Sequence, residues 1–344
     1  MSPAPSVRKS GMKRVLVTGA TGFIGRQSLL PLLDRGYDVH ALYSKKPIEI
    51  DPRVIWHSSN LLEHDAAKDI CFTVRPTHLL HFAWYVNPSD YKTSPENSRW
   101  VKATLALVNA FTENGGTRAT LAGTCMEYDW TVPQDFLSED TSPIAPETMY
   151  GKAKNETRLS VEKYASENGL SVAWGRIFFL YGPYEAPGRL VSYVINALLS
   201  NEPALCTPGE QIRDYSHVRD VGSAFAALLD SNVKGVVNIG SGTDVALKNV
   251  LLSIGDILGR RDLIKLGAKP APQNEPPRVV ADMRRLRDEV GWQPHTTLEE
   301  GLQMTIDWWK ANGSTPSTSS GQADSPRVEG NVGARCKYGK WRED

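Results

Sequence analysis

The chain has 344 residues with 39 basic and 39 acidic side chains, so its formal net charge is zero, and that balance offers no basic stripe for a nucleic-acid partner. A hydrophobic fraction of 40% supports a substantial core, and the length suggests two domains or one large one with an insertion. Four scattered cysteines (Cys71, Cys125, Cys206, Cys336) without a CxxC pair, a polar N-terminus and no long apolar run predict a reduced, cytoplasmic protein.

Short β-rich runs alternate with helix-length amphipathic runs from Lys13 onward. "KRVLVT" reads as a strand, "FIGRQSLLPLLDRG" as a helix closed by Gly36, and "DVHALY" and "RVIWHSS" as two more strands. "AAKDICFTVR" predicts a helix stopped before Pro76, followed by the strand "THLLHFAW". The helix "ENSRWVKATLALVNAFTENGG", the strand "RATLAGT" and a long helix over residues 146–169, with Pro146 near its first turn, come next. "LSVAWGRIFF" and "GVVNIGS" complete the set of strands. Strands this apolar are expected to be buried on both faces, which predicts an α/β fold built on a doubly wound parallel sheet. After Phe179 proline, glycine and loops increase, as expected of a smaller C-terminal, ligand-closing domain. The expected division is 13–178 with 212–242 returning to it, then 179–211 with 243–311, and a disordered tail over 312–344 rich in Ser, Pro and Gly. No internal repeat is visible.

"TGATGFIG" follows the first strand and opens the first helix. Gly19 permits the tight turn, Gly22 lets the backbone approach a pyrophosphate, and Gly25 lets the helix pack on the sheet, which predicts dinucleotide binding in a Rossmann arrangement. The second strand ends without an acid and is followed by Ser44, Lys45 and Lys46. Basic residues there suit the 2′-phosphate of NADP(H), although a solvated turn would have the same composition.

"MYGKAK" sets Tyr150 and Lys154 four apart on one helical face, where an ammonium beside the phenol would favour the phenolate. With Thr124 at the tip of the fifth strand, these motifs in order resemble the extended short-chain dehydrogenase/reductases that act on nucleotide sugars. The resemblance also runs through "HFAW", "GRIFFLYGP", "QIRDYSHVRDV", "NIGSG" and "VGWQPHTTLEEGL". It implies that Tyr150 is the acid/base, Lys154 binds the nicotinamide ribose and Thr124 holds the reacting oxygen. It places the cofactor against Gly19, Thr21, Gly22, Phe23, Ile24, Gly25, Ser44, Lys45, Asn60, Leu61, Phe82, Ala83 and Trp84. It places the nucleotide sugar against Trp84, Thr124, Cys125, Phe179, Arg189, Arg213 and Arg278, and it implies a homodimer. An arginine suits a bidentate phosphate contact, while a surface ion pair is the plainer reading of Arg213 and Arg278.

Several departures from the family pattern narrow the expectation. Met126 stands where the family's 4,6-dehydratases carry a carboxylate, and Cys125 does not align with the family's catalytic cysteine and reads as a packed thiol. Glu127 has no role assigned by strand alternation. Phe179 and Trp100 replace common asparagines, and Trp84 and Tyr85 enlarge a site usually lined by small residues. The seven histidines form no ligand-spaced cluster, so no metal is expected, and His81 and His217 read as structural hydrogen-bonding residues. The expected activity is a 4-ketoreductase of a nucleotide-activated deoxysugar, with a 4-epimerase that retains NAD as its rival and a non-catalytic dinucleotide sensor as a reading of another class.

Overall fold

The computed structural model describes residues 13–44, 51–271 and 275–313. In chain order the elements are β1 (Arg14–Thr18), α1 (Gly25–Asp34), β2 (Asp38–Tyr43), β3 (Ile55–Ser58), α2 (Ala66–Val74), β4 (His78–His81), α3 (Glu96–Glu113), β5 (Arg118–Thr124), α4 (Met149–Asn168), β6 (Ser171–Ile177) and β7 (Phe179–Tyr181). There follow α5 (Leu190–Leu199), β8 (Ala204–Leu205), β9 (Ile212–Arg213), β10 (Tyr215–His217), α6 (Val218–Asp230), β11 (Gly235–Ile239), β12 (Val245–Ala246), α7 (Leu247–Leu258), β13 (Ile264–Lys265), β14 (Arg278–Val279) and α8 (Leu298–Asn312).

Seven strands form one sheet in the order β11-β6-β5-β4-β1-β2-β3, and every neighbouring pair in it is parallel. The first strand shows why the sheet must be sandwiched. Val15 and Val17 pack to one side with Leu32 of α1 and Phe225 of α6. Leu16 packs to the other with Ile70 of α2, Leu107 of α3 and Val161 of α4. Alternate side chains of one strand thus enter two different cores, so all must be apolar. The doubly wound parallel sheet read from the sequence is what the chain forms.

Three local expectations change. The strand β3 is only partly buried, with Ile55 47% exposed, because it closes the edge of the sheet and has a neighbour on one side alone. The helix α4 begins at Met149, capped by the Thr148 hydroxyl accepting from Gly151 N, so Pro146 precedes the helix. "LSVAWGRIFF" is two strands: Phe178 N donates to Ile239 O, and Phe179 turns away to pair with Tyr215 in a separate ribbon.

The segments after β7 build the rest of the molecule from small sheets (β10-β7, β12-β9-β14, β13-β8). A third core joins α5, α7 and α8 there, through residues such as Val194, Ile254 and Ile306. Meanwhile α6 packs against α1, and β11 joins the large sheet. The expected tail beyond Gly313 lies outside the described residues. Among the described residues no helix is long and apolar enough to cross a membrane.

Candidate active site

The strands of the large sheet all run the same way, so the ends of β1, β4, β5 and β6 meet along one edge. At the end of β1, Gly19 has φ +66°, and a Cβ there would lie 2.7 Å from Ala83 N. A Cβ on Gly25 would lie 2.2 Å from Gly19 O. Glycine is therefore required both for the turn and for the start of α1 to lie against it. The helix opens at Ile24, which supplies no side-chain cap, and its first turn holds no acid. Its positive end is left for an anion, so these residues fit a dinucleotide diphosphate.

The surroundings of this cradle are rigid. His81 is hydrogen-bonded to Thr18 at 2.7 Å and to Thr104 at 2.9 Å, tying β4 to β1 and α3. Ala83 N donates to the Thr18 hydroxyl at 3.3 Å, and Phe82 meets Phe225 edge-on at 4.8 Å between ring centres. Thr21 presents its carbonyl to Arg26 at 2.7 Å, and Phe23 and Ile24 are half-buried at the loop's end. Ser44 is exposed at the end of β2, whereas Lys45 and Lys46 lie outside the described residues. Asn60 is exposed and bonded to Glu63 and Leu62, and the Leu61 side chain belongs to the core.

Tyr150 and Lys154 lie on the face of α4 that meets the end of β5. What brings the helix so close is Gly151, where a Cβ would lie 2.5 Å from Met126 O. Lys154 is 3% exposed and donates to Ala122 O at 2.9 Å. Its ammonium sits 3.8 Å from the Trp84 ring centre and 5.9 Å from that of Tyr150. Burial pulls this lysine down to about 7, against an opposing pull from Glu127. The tyrosine does not show the lowering anticipated from its lysine. Burial pushes Tyr150 above the usual phenol range, with Tyr91, Glu127 and Cys125 adding to the rise and Arg189 opposing it. Tyr150 is thus held as a neutral phenol.

The Thr124 hydroxyl accepts from Met126 N at 3.3 Å, which leaves its own proton free to be donated. Cys125 is 4% exposed among Tyr128, Leu137, Phe178 and Ala281, and burial pushes its thiol up to about 12. That is an inert packing residue. Trp84 is fixed by donating to Asn97 Oδ1 at 2.8 Å and lies 6.4 Å from Trp100 and 6.5 Å from Tyr150 between ring centres. Aromatic rings therefore wall Tyr150.

A cleft of about 1080 Å³ opens beside this centre, lined by Met126, Tyr128, Trp130, Thr148, Glu275 and Arg278 among others. Phe179 stands 6.5 Å from Trp130 and 5.4 Å below the Arg213 guanidinium. Arg213 is not a surface residue: it is 3% exposed and donates to Glu275 at 2.8 Å. Arg278 pairs with Asp244 at 2.5 Å and donates to Asp135 O. Arg189 lies 5.0 Å over the Tyr91 ring, and Tyr91 meets Tyr150 edge-on at 5.1 Å.

Two residues carry more than their spacing suggested, and one carries less. Glu127 is wholly buried and accepts from Thr124 N (2.9 Å), Trp174 Nε1 (2.9 Å) and Arg176 Nε (2.8 Å). Thr124-x-x-Glu127 is a capping box, and that four-residue pattern is the signal that could have revealed its role. Asp214, inside "QIRDYSHVRDV", accepts from Ser241 N and Gly242 N and locks the "GSG" turn. His217, expected to hydrogen-bond, has no hydrogen-bond partner at either ring nitrogen among the described residues.

A glycine-turned, uncapped helix start, beside a threonine, a neutral half-buried tyrosine and a buried lysine, defines a dinucleotide-dependent enzyme of the short-chain dehydrogenase type. Residues 15–240 match the NAD dependent epimerase/dehydratase family, and the chain belongs to that family. It is 26% identical to a UDP-glucuronic acid decarboxylase 1 of Xenopus tropicalis, over 99% of this chain and 81% of that protein. It is 26% identical to a UDP-glucose 4-epimerase of Corynebacterium glutamicum, over 83% of this chain and 92% of that one. Among solved structures, it resembles the UDP-glucose 4-epimerase of Thermotoga maritima with UDP-glucose (TM-score 0.78, 25% identity, 88% of this chain and 100% of that). It also resembles the UDP-glucose 4-epimerase of Thermus thermophilus in complex with NAD (TM-score 0.77, 25% identity, 87% and 99%).

Proposed function

We propose that the protein is a 4-ketoreductase of a nucleotide-activated deoxysugar, with Thr124, Tyr150 and Lys154 as its working residues. The observation that carries this reading is the fate of the acid/base groups around Thr124. Dehydrating a hexose takes a further group to move protons at the neighbouring carbons. The carboxylate of this turn, Glu127, is spent on Thr124 N, Trp174 and Arg176, and the residues of the turn that line the cleft are Met126 and Tyr128. Hydride chemistry at a carbonyl needs only one proton donor, and Tyr150, held as a neutral phenol, is an acid rather than a base.

A bound nicotinamide would supply or accept the hydride at C4. Thr124 donates its hydroxyl proton to the sugar oxygen and orients it. Tyr150 delivers a proton to that oxygen as it becomes an alkoxide. Lys154, positive below about pH 7, stabilises the phenolate left behind and holds the ribose hydroxyls of the cofactor. The nucleotide diphosphate takes the place of Glu275 on Arg213 and of Asp244 on Arg278, in the cleft between the large sheet's edge and the smaller C-terminal part. Ser44, Lys45 and Lys46 favour NADPH over NADH, and the family resemblance favours a homodimer.

The similarity to 4-epimerases supports a second reading, in which the same residues act but the nicotinamide stays bound and the keto sugar turns over within the site. Turnover of nucleotide 4-keto sugars, with titration of NADPH and NADH, separates the two. Net oxidation of added NADPH is the expected result. Interconversion of nucleotide hexoses without added cofactor, by protein carrying tightly held NAD, would establish the epimerase instead.

A further inference from the structure

The loop between β7 and α5 places an acid that the proposed chemistry does not use. Tyr184 on this loop lies 3.6 Å under the Arg26 guanidinium, at the start of α1. Arg189 at its other end reaches over Tyr91, which touches Tyr150. Glu185, between them, is 6% exposed, and its Oε2 is buried with no hydrogen-bond partner among the described residues. Its N–H donates to Gly182 O, and the Ser192 N–H serves the carboxyl.

The charged and polar groups that interact with that carboxyl lie on the side where the substrate is expected. Arg189 acts on it electrostatically, and it acts in turn on the Tyr215 hydroxyl, whose ring lies 5.8 Å from Phe179 and 6.4 Å from Tyr181. A buried carboxyl oxygen left unsatisfied costs on the order of 1–3 kcal/mol, and no apolar packing role requires an acid there. Burial pushes the group up to about 8, so it is protonated at neutral pH. A neutral carboxyl beside an arginine can accept from, and donate to, one neutral polar group. Phosphate is disfavoured as that group, because ionisation of the acid would repel it.

We propose that Glu185 is a substrate-binding residue, its free carboxyl oxygen accepting a hydrogen bond from a hydroxyl of the bound sugar. The Arg189 guanidinium and the Tyr215 hydroxyl are the neighbouring groups that interact with it electrostatically. This rests on the nucleotide-sugar reading above and adds the sugar-facing contact which that reading lacks.

The test is calorimetric titration of the cofactor-loaded protein with UDP-, dTDP-, GDP- and CDP-glucose, in wild type, Glu185→Ala and Glu185→Gln, with melting temperatures recorded alongside. For whichever probe binds, Glu185→Ala is expected to weaken Kd about tenfold, the upper end of the range for one hydrogen bond to a neutral group. Glu185→Gln keeps an acceptor oxygen and should stay within about threefold of wild type. That rescue separates contact from a structural role, which would follow melting temperature instead. Unchanged affinity in Glu185→Ala overturns the assignment while leaving the nucleotide-sugar reading intact. Failure of wild type to bind any of the probes overturns both.

Discussion

Tyr150 and Cys125 are neighbours in space with opposite prospects. The tyrosine is half-buried at the aromatic wall, whereas the thiol is sealed among Tyr128, Leu137 and Phe178 and held far from ionisation. Tyr150→Phe is therefore expected to cut turnover by roughly 10²–10⁴-fold while leaving cofactor affinity unchanged, because the ring remains and only the proton donor is lost. Thr124→Ser should retain much of the activity and Thr124→Ala should lose it. Cys125→Ser should stay close to wild type. An inactive Cys125→Ser that still folds and binds cofactor would show a nucleophile in place of a packing residue.

Lys154 gives a second test at this scale. Its folded pKa of about 7 lies below the ordinary 10.5, so between these values the unfolded chain holds a proton that the folded one lacks. The cost of burying the charge is fully present below pH 7 and disappears as pH rises toward 10.5. Wild type should gain stability relative to Lys154→Met between pH 7 and pH 9, with a slope of at most ~1.4 kcal/mol per pH unit. Parallel urea-denaturation profiles for the two proteins would reject the assignment.

At the scale of elements, the turn after β5 is held by a buried carboxylate as well as by its own backbone bond from Tyr128 N to Cys125 O. Glu127 joins the strand end, Trp174 and Arg176 of β6, and Arg176 is itself 1% exposed. Glu127→Ala would leave that guanidinium buried without its partner, a loss of about 3–5 kcal/mol. Cys125→Ser, two residues earlier, should cost much less. A Glu127→Ala change of under about 1 kcal/mol in urea denaturation would mean that the pair does not secure the turn.

The same turn shows which features of a sequence can be read. The glycines of "TGATGFIG" and the Tyr150/Lys154 spacing are local patterns, and the edge of the parallel sheet follows from apolar strands, so the cradle and the helix face were legible. Glu127's partners come from β6, 47 and 49 residues away, and the Arg213–Glu275 pair spans 62. No local periodicity encodes such pairings. Short strands such as β9 and β14 were missed because two residues carry too little alternation to be recognised. The rise of the Tyr150 pKa was unreadable for another reason. Spacing reveals the nearby ammonium but not the burial that outweighs it.

Across the whole molecule, the part that would hold the cofactor and the part built from α5, α7 and α8 meet at one aromatic residue, among other contacts. Arg26 leaves the start of α1, donates to Thr21 O and lies 3.6 Å over the Tyr184 ring. Tyr184 in turn lies 4.6 Å from Trp308 of α8. It holds this place with φ at +70°, a conformation that L-residues with large side chains rarely adopt. The contacts around the ring must offset that cost of roughly 1–2 kcal/mol. If the guanidinium and the ring hold the two parts together, Arg26→Ala and Tyr184→Leu will not be additive. A double-mutant cycle in urea should give a coupling of about 0.5–2 kcal/mol, the range of a cation–π contact from exposed to desolvated. Cofactor affinity should fall in both single variants, since each releases the glycine-rich turn from the smaller part. Strict additivity, with cofactor binding unchanged in Tyr184→Leu, would show that the stack is incidental and that the two parts are joined elsewhere.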